Sequence, residues 1–265
     1  MPERTWDAAS YHKVSGPMEA MGLEVLERLP LAGRETVVDA GCGTGRVTEA
    51  LAERLPGGRV FAVDADPAMV AAATANLAAL GDRVLVVEGD LLDLPAVLTR
   101  AAPGTAGVDA ILSTATFHWI LDHDRLFASL FAALRPGGRL VAQCGGAGNL
   151  AAVLAAADAV AAGDPRWAPR FEGWTRPSRM AAAEETGERM AAAGFESIRA
   201  WLEPNPVVPD DPLEYLRTIN LGAHVQRLPE GDRDEFVERV ATRLGSPVTI
   251  DYVRLNLDGT RPAVS

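Results

Sequence analysis

The sequence predicts an α/β fold with a doubly wound, mostly parallel sheet, and two observations support this. Short apolar runs without polar alternation recur through the middle of the chain, which is typical of strands buried on both faces. Segments with helical periodicity lie between these runs, and such alternation is characteristic of a parallel sheet covered by helices. The predicted strands are 36–40, 59–64, 83–88, 108–113 and 138–144. The predicted helices between them are 46–55, 67–80, 92–101 and 124–134.

The flanking regions add helices and two further strands. Residues 17–29 predict an amphipathic helix, and residues 148–194 are alanine-rich and predicted to be mostly helical. Residues 195–202 predict a sixth strand and 248–257 a last, antiparallel strand, so the expected sheet has seven strands. The other predicted features are helices over 211–222 and 230–244, a Pro-Gly-Gly turn at 136–138 before the fifth strand, and a frayed tail over 258–265.

These elements predict one domain over 1–265 rather than two. Its core is expected to comprise about 31–147, 195–203 and 247–258. The N-terminal segment 1–30 and the insertions at about 148–194 and 209–245 are expected to form a helical cap over the substrate.

Composition narrows the class of partner. The net charge of −11 and the lack of a basic stripe argue against a nucleic-acid partner, because such binding depends on neutralised phosphates. No apolar run is long enough to span a membrane. The chain has two cysteines, too few for a disulfide framework, and its first residues do not resemble a signal peptide. We therefore expect a cytoplasmic protein that acts on a small molecule, as a monomer or a homodimer.

The segment Asp39-Ala40-Gly41-Cys42-Gly43-Thr44-Gly45 predicts a cofactor-binding turn between a strand and a helix. Glycines permit positive φ and close approach of a ligand to the backbone. A dinucleotide turn would have glycine where Arg46 stands, and no Gly-Lys-Ser/Thr of a phosphate loop follows. The carboxylate of Asp39 would repel a pyrophosphate but suits an ammonium group. S-adenosylmethionine carries such a group, together with a ribose and no phosphate.

This segment resembles the first motif of the class I S-adenosylmethionine-dependent methyltransferases. Asp64 and Asp90 follow the next two predicted strands, as acids do in that family. The resemblance implies a Rossmann-like fold in which Asp64 binds the ribose hydroxyls and Asp90, with Leu91, binds the adenine edge. The cofactor-binding residues it implies are Tyr11, Asp39, Gly41, Cys42, Gly43, Asp64, Ala65, Met69, Asp90, Leu91 and Thr114.

Three segments resemble the trans-aconitate methyltransferase-like branch of that family. They are the pair Trp6 and Tyr11, the aromatic segment 117–123 after the fourth strand, and residues 215–228. This chain has His118 where the branch usually has glutamine. The motifs used to methylate nucleic-acid bases, Asn/Asp/Ser-Pro-Pro-aromatic and Pro-Cys, are missing after the fourth strand.

His118 is the candidate catalytic residue. It can act as a general base, donate a hydrogen bond to a substrate oxygen, or only fill the pocket wall. Trp119, Trp174 and His224 are candidate substrate contacts, and no metal site is expected. The predicted function is methyl transfer from S-adenosylmethionine to a small molecule, with a carboxylate oxygen as one acceptor. A phenol oxygen, a nitrogen or a carbon are alternatives, as is a non-catalytic protein that binds the cofactor for regulation.

Overall fold

The structure, a computed structural model, describes residues 16–263, with side chains from residue 18 onward. Trp6 and Tyr11 therefore lie outside the described residues. Seven strands form one sheet in the order β3-β2-β1-β4-β5-β7-β6, and all pair in parallel except β7, which is antiparallel to both neighbours. The strands are β1 Thr36–Ala40, β2 Arg59–Asp64, β3 Val84–Glu88, β4 Val108–Thr114, β5 Leu134–Gly145, β6 Glu196–Pro204 and β7 Val253–Thr260. This confirms the predicted seven-stranded, mostly parallel sheet.

Helices cover both faces of the sheet. The α-helices are α1 Gly16–Glu27, α2 Arg46–Glu53, α3 Pro67–Asn76, α4 Leu94–Ala101, α5 His123–Ala133, α6 Ala151–Ala162, α7 Ala168–Phe171, α8 Ala183–Ala192, α9 Pro212–Tyr215, α10 Gly222–Val225 and α11 Arg233–Leu244. Short 3₁₀ turns lie at Ala78–Arg83, Leu91–Asp93, Phe117–Trp119 and Glu230–Asp232, and Leu216–Asn220 is a π-turn. Within residues 16–263, the helices are too short or too polar to cross a bilayer.

The three largest of four apolar clusters among the described residues explain this arrangement. One face of the sheet packs on α1 and α2 through residues such as Leu26 and Leu51, and the other packs on α4, α5 and α8 through Leu94, Phe127 and Met190. A third cluster joins α6, α7 and the segments between β6 and β7, and is built around residues that include Val153, Trp167, Leu216 and Phe236. The insertions thus have a core of their own beside the sheet. Their role as a substrate cap remains a prediction.

The prediction for the last strand was wrong in its bounds. Residues 248–252 lie outside β7, where Ile250 makes an isolated bridge with Val207 and is buried in the third cluster. Residues 258–260 pair with β5 and β6 and are not a frayed tail. Apolar and polar residues alternate in the same way before and after residue 253. The sequence pattern over 248–257 therefore does not show where pairing with β5 begins.

Two other local predictions also need correction. Pro136-Gly137-Gly138 does not precede β5 but lies within it, where the single residue Asp109 of β4 is opposite the four residues 135–138 of β5. This bulge is accommodated by the positive φ of Gly137, 79°. The helix predicted over 211–222 is broken into α9, the π-turn and the start of α10.

Candidate active site

The glycine turn after β1 lies at the carboxyl edge of the sheet. Its first two amides, those of Gly41 and Cys42, both donate to the carbonyl of Val63 in β2, at 2.8 and 3.1 Å. Gly41 has φ 82°, and a Cβ there would lie 2.1 Å from the hydroxyl of Thr116. The backbone of the turn and the loop after β4 therefore touch, which only glycine at 41 permits.

The carboxylate of Asp39 lies beneath this turn and is 1% exposed. Its Oδ2 accepts a hydrogen bond of 2.6 Å from the hydroxyl of Thr48. No described residue donates to its buried Oδ1. Burial raises the pKa of Asp39 to about 6, the bond from Thr48 opposes this rise, and the nearby charge of Asp64 adds to it. A buried carboxylate oxygen that lacks a donor fits the ammonium group of S-adenosylmethionine.

Two more acids lie at the ends of the neighbouring strands. Both oxygens of Asp64 accept backbone amides, one from Gly43 and one from Asp66, each at 2.9 Å. Burial raises the pKa of Asp64, whereas these amide bonds lower it. Asp90 accepts the amide of Leu92 at 2.9 Å. The amides fix both carboxylates in place, while the second lone pair of each oxygen remains available to a ligand.

Space for a ligand lies against the turn. A Cβ built on Gly43 would meet no atom of residues 16–263 within 4 Å, although the turn is enclosed at Gly41 and at Gly45. Of the other predicted cofactor residues, Met69 and Leu91 are each 4% exposed, Ala65 follows β2 and Thr114 ends β4. The structure thus brings the described members of the predicted set to one edge of the sheet. Their contacts with the cofactor remain predictions.

A cleft lies between this edge of the sheet and the insertions. It encloses about 720 Å³, a figure that includes its mouth open to solvent. The residues that line it include Ala115, His118, Trp119, His224, Tyr252 and Arg254. Trp119 and His224 were predicted as substrate contacts. Trp174, the third such residue, is not in the lining; its ring packs against that of His224, with centroids 4.9 Å apart.

The geometry of His118 bears on its chemistry. The side chain is 8% exposed, and its Nδ1 accepts the amide of Gly145 at 3.2 Å. A proton on Nδ1 would oppose that N–H, so the neutral ring carries its proton on Nε2. His118 is thereby arranged as a hydrogen-bond donor. Its ring also lies 4.7 Å from that of Trp119.

The turn that carries His118 is held from behind by His123. The Nε2 of His123 donates to the carbonyl of Phe117 at 3.1 Å. Burial lowers the pKa of His123, the bond to Phe117 opposes this, and Arg179 and Arg189 lower it further. His123 is a support of the cleft wall, not a lining residue.

Comparison with known proteins identifies a matching family model and similar relatives. Residues 37–138 match the family model described as a methyltransferase domain. Trans-aconitate 2-methyltransferases from Variovorax paradoxus and Deinococcus radiodurans are 36% and 33% identical over 138 and 139 residues. Each match covers 52% of this chain and 49% of the relative, so the chain spans about half the length of the curated relatives it matches.

Solved structures show the same fold. Phosphoethanolamine N-methyltransferase 2 of Haemonchus contortus, in complex with S-adenosylmethionine, superposes with a TM-score of 0.62 at 19% identity, over 96% of this chain and 56% of that one. The YcgJ protein of Bacillus subtilis superposes with a TM-score of 0.61 at 16% identity, over 92% and 99% of the two chains. Residues 37–138 thus match a methyltransferase domain, and the chain has the fold of S-adenosylmethionine-dependent methyltransferases. The predicted family and its cofactor, S-adenosylmethionine, are confirmed.

The protein has a buried cation in its cleft that the sequence did not reveal. Arg254, near the start of β7, is 3% exposed. Its Nε donates to Oε1 of Gln143 at 3.2 Å, and the guanidinium lies 5.8 Å from the ring of Tyr252. Arg254 belongs to no motif and lies in the strand whose start was misplaced. The exact pairing of β7 with β5 would have been needed to predict it.

Proposed function

We propose that the protein transfers the methyl group of S-adenosylmethionine to a carboxylate of a small, multiply charged acid, which yields a methyl ester and S-adenosylhomocysteine. The observation that carries the proposal is the buried guanidinium of Arg254. It lies in the wall of the cleft between the sheet edge and the insertions, which we call the acceptor cleft. The planar fork of a guanidinium matches a carboxylate in shape, charge and donor spacing. The name of the curated relatives, trans-aconitate 2-methyltransferase, supports the same class of acceptor.

The tautomer of the neutral His118 ring also favours a carboxylate as the methyl acceptor. An acid of ordinary pKa is ionised at neutral pH, so it needs no base to become a nucleophile. Because Nδ1 of His118 accepts from Gly145, the N–H of the neutral ring is at Nε2. This donor would hold one oxygen of the reacting carboxylate and leave the other to attack. A phenol or an ammonium acceptor would instead require a base.

Bound S-adenosylmethionine supplies a methyl group already activated by the sulfonium. The protein's contribution is alignment, and well-oriented reactants gain about 7–11 kcal/mol from proximity. Asp39 would hold the ammonium through Oδ1, to which no residue of the described part of the chain donates. Asp64 would hold the ribose through its remaining lone pairs. Trp119 and His224 would enclose the acceptor, with Trp174 packed behind His224.

The test is a kinetic comparison of Arg254→Met with wild type. Each enzyme is assayed with radiolabelled S-adenosylmethionine against trans-aconitate and other di- and tricarboxylic acids, and against phenols and amines. Loss of a hydrogen bond between charged partners should raise KM for the accepted acid about 10- to 150-fold, with cofactor affinity unchanged. Arg243→Met, at an exposed position in α11, is the matched control. Methylation of phenols or amines but of no acid would overturn the proposal.

A further inference from the structure

A ladder of polar side chains leads from the acceptor cleft across the antiparallel part of the sheet. Arg254 donates from Nε to Oε1 of Gln143 at 3.2 Å. Gln143 donates from Nε2 to Oδ1 of Asn256 at 2.9 Å, and Asn256 donates from Nδ2 to Oε2 of Glu203 at 3.1 Å. The first three residues are buried, and Glu203 is exposed at the edge strand.

The strand register accounts for this alignment. Gln143 and Asn256 are directly opposite each other in the pairing of β5 with β7, and Glu203 is opposite Arg254 in the pairing of β6 with β7. Residues two apart on a strand share a face, so the side chains of Arg254 and Asn256 lie on the same side of the sheet. Four polar residues from three strands therefore meet on one face.

The two ends of the ladder impose the same orientation on the amides between them. A carboxylate only accepts hydrogen bonds, so Glu203 turns the NH₂ group of Asn256 toward itself. The oxygen of Asn256 then receives the NH₂ group of Gln143, which leaves the oxygen of Gln143 for Arg254. Arg254 has donors only, and requires that same orientation. Neither amide can flip without breaking two bonds of the ladder.

We propose that Gln143 and Asn256 are positioning residues that hold the Arg254 guanidinium in place for an anionic acceptor. This inference rests on the proposed function, because it assigns the origin of acceptor selectivity at the same site. The partner at Nε is a neutral amide, which orients that edge of the guanidinium and adds no charge of its own. A carboxylate at position 143 would form an ion pair with Arg254 and compete with the acceptor.

The kinetic test uses Gln143→Glu, a substitution of the same shape that adds one negative charge. With trans-aconitate as the acceptor probe, KM should rise at least about 10-fold, while kcat and the Kd for S-adenosylmethionine stay within about twofold. Gln226→Glu makes the same chemical change at an exposed position and should leave KM unchanged. An unchanged KM in Gln143→Glu would overturn the inference.

A second measurement does not depend on any acceptor. The ¹⁵N-labelled Nε–Hε resonance of Arg254, assigned by its loss in Arg254→Lys, should exchange slowly with water in wild type. It should exchange at least about tenfold faster in Gln143→Met, which removes the hydrogen-bond acceptor. Unchanged exchange would refute the positioning role even in an enzyme that methylates acids. Wild type could also fail to bind or methylate trans-aconitate and other carboxylic acids while exchange is still faster in Gln143→Met. That result would overturn the proposed function and the acceptor selectivity, but it would confirm the hydrogen-bonded ladder.

Discussion

Replacement of Asp39 by asparagine should weaken cofactor binding and, at the same time, remove an internal electrostatic cost. The carboxylate is buried, one of its oxygens has no donor among the described residues, and its pKa is raised to about 6. Asparagine keeps the shape and can still accept from Thr48. It cannot form an ion pair with an ammonium group. The variant therefore separates the cofactor role of this acid from its effect on folding.

The magnitudes follow from the pKa. A rise from 3.8 to about 6 means that ionised Asp39 costs the ligand-free protein about 3 kcal/mol of stability. Because the pKa of this acid is higher in the folded state, protonated Asp39 contributes to the free energy of unfolding. That contribution is fully present below pH 3.8 and is lost as pH rises through 6. Between pH 5 and pH 8 the loss is about 1.4 kcal/mol. Loss of the bond to the ammonium should raise the Kd of S-adenosylmethionine about 10- to 150-fold.

Two assays check this prediction. Urea unfolding of ligand-free wild type and Asp39→Asn at several pH values should show the stability of wild type falling, relative to the variant, as pH rises. Calorimetry with S-adenosylmethionine at pH 8 gives the change in Kd. Asp210→Asn removes one charge at an exposed loop position and is the control. Wild-type cofactor affinity in Asp39→Asn, or a stability difference that is independent of pH, would refute the reasoning.

Other predictions concern the turn and the cleft wall. Gly41→Ala should lower the melting temperature and abolish cofactor binding, because the new Cβ would lie 2.1 Å from the hydroxyl of Thr116; a variant with wild-type melting and binding would contradict the geometry. His118→Gln keeps a donor, so kcat/KM should fall less than about 10-fold with an unchanged pH profile, whereas removal of a general base would cost about 10²–10⁴-fold. Burial lowers the pKa of His123, so the stability it confers is complete above about pH 6.5 and is lost as pH falls toward its folded pKa. His123→Gln should flatten that part of the profile in urea unfolding, and an unchanged slope would show that other groups cause it.

The central sheet was predictable because buried parallel strands have a direct signature in the sequence. The predicted limits of β1 and β2 agree with the structure, and those of β3 and β4 differ by one residue. Asp39, Asp64 and Asp90 could be placed at one edge because the carboxyl ends of parallel strands meet there. This part of the cofactor site needed only local pattern and topology.

The acceptor side could not be predicted in the same way. Arg254 becomes a cleft residue only through the register of β7 with β5, and Gln143 and Asn256 become partners through that same register. The position of Trp174 behind His224 likewise depends on how the insertions pack. These are long-range contacts between segments about 50 to more than 100 residues apart, and single-sequence periodicity carries no record of them.

The central claim is that a carboxylate oxygen receives the methyl group. Incubation of the enzyme with S-adenosylmethionine labelled with ¹³C in its methyl group and with trans-aconitate, followed by NMR of the product, tests this most directly. We expect one new methyl signal at the chemical shift of an ester, coupled to a carboxyl carbon and lost on mild base hydrolysis. A label that withstands base, on carbon, nitrogen or a phenolic oxygen of another acceptor, with none on any acid offered, would contradict the account.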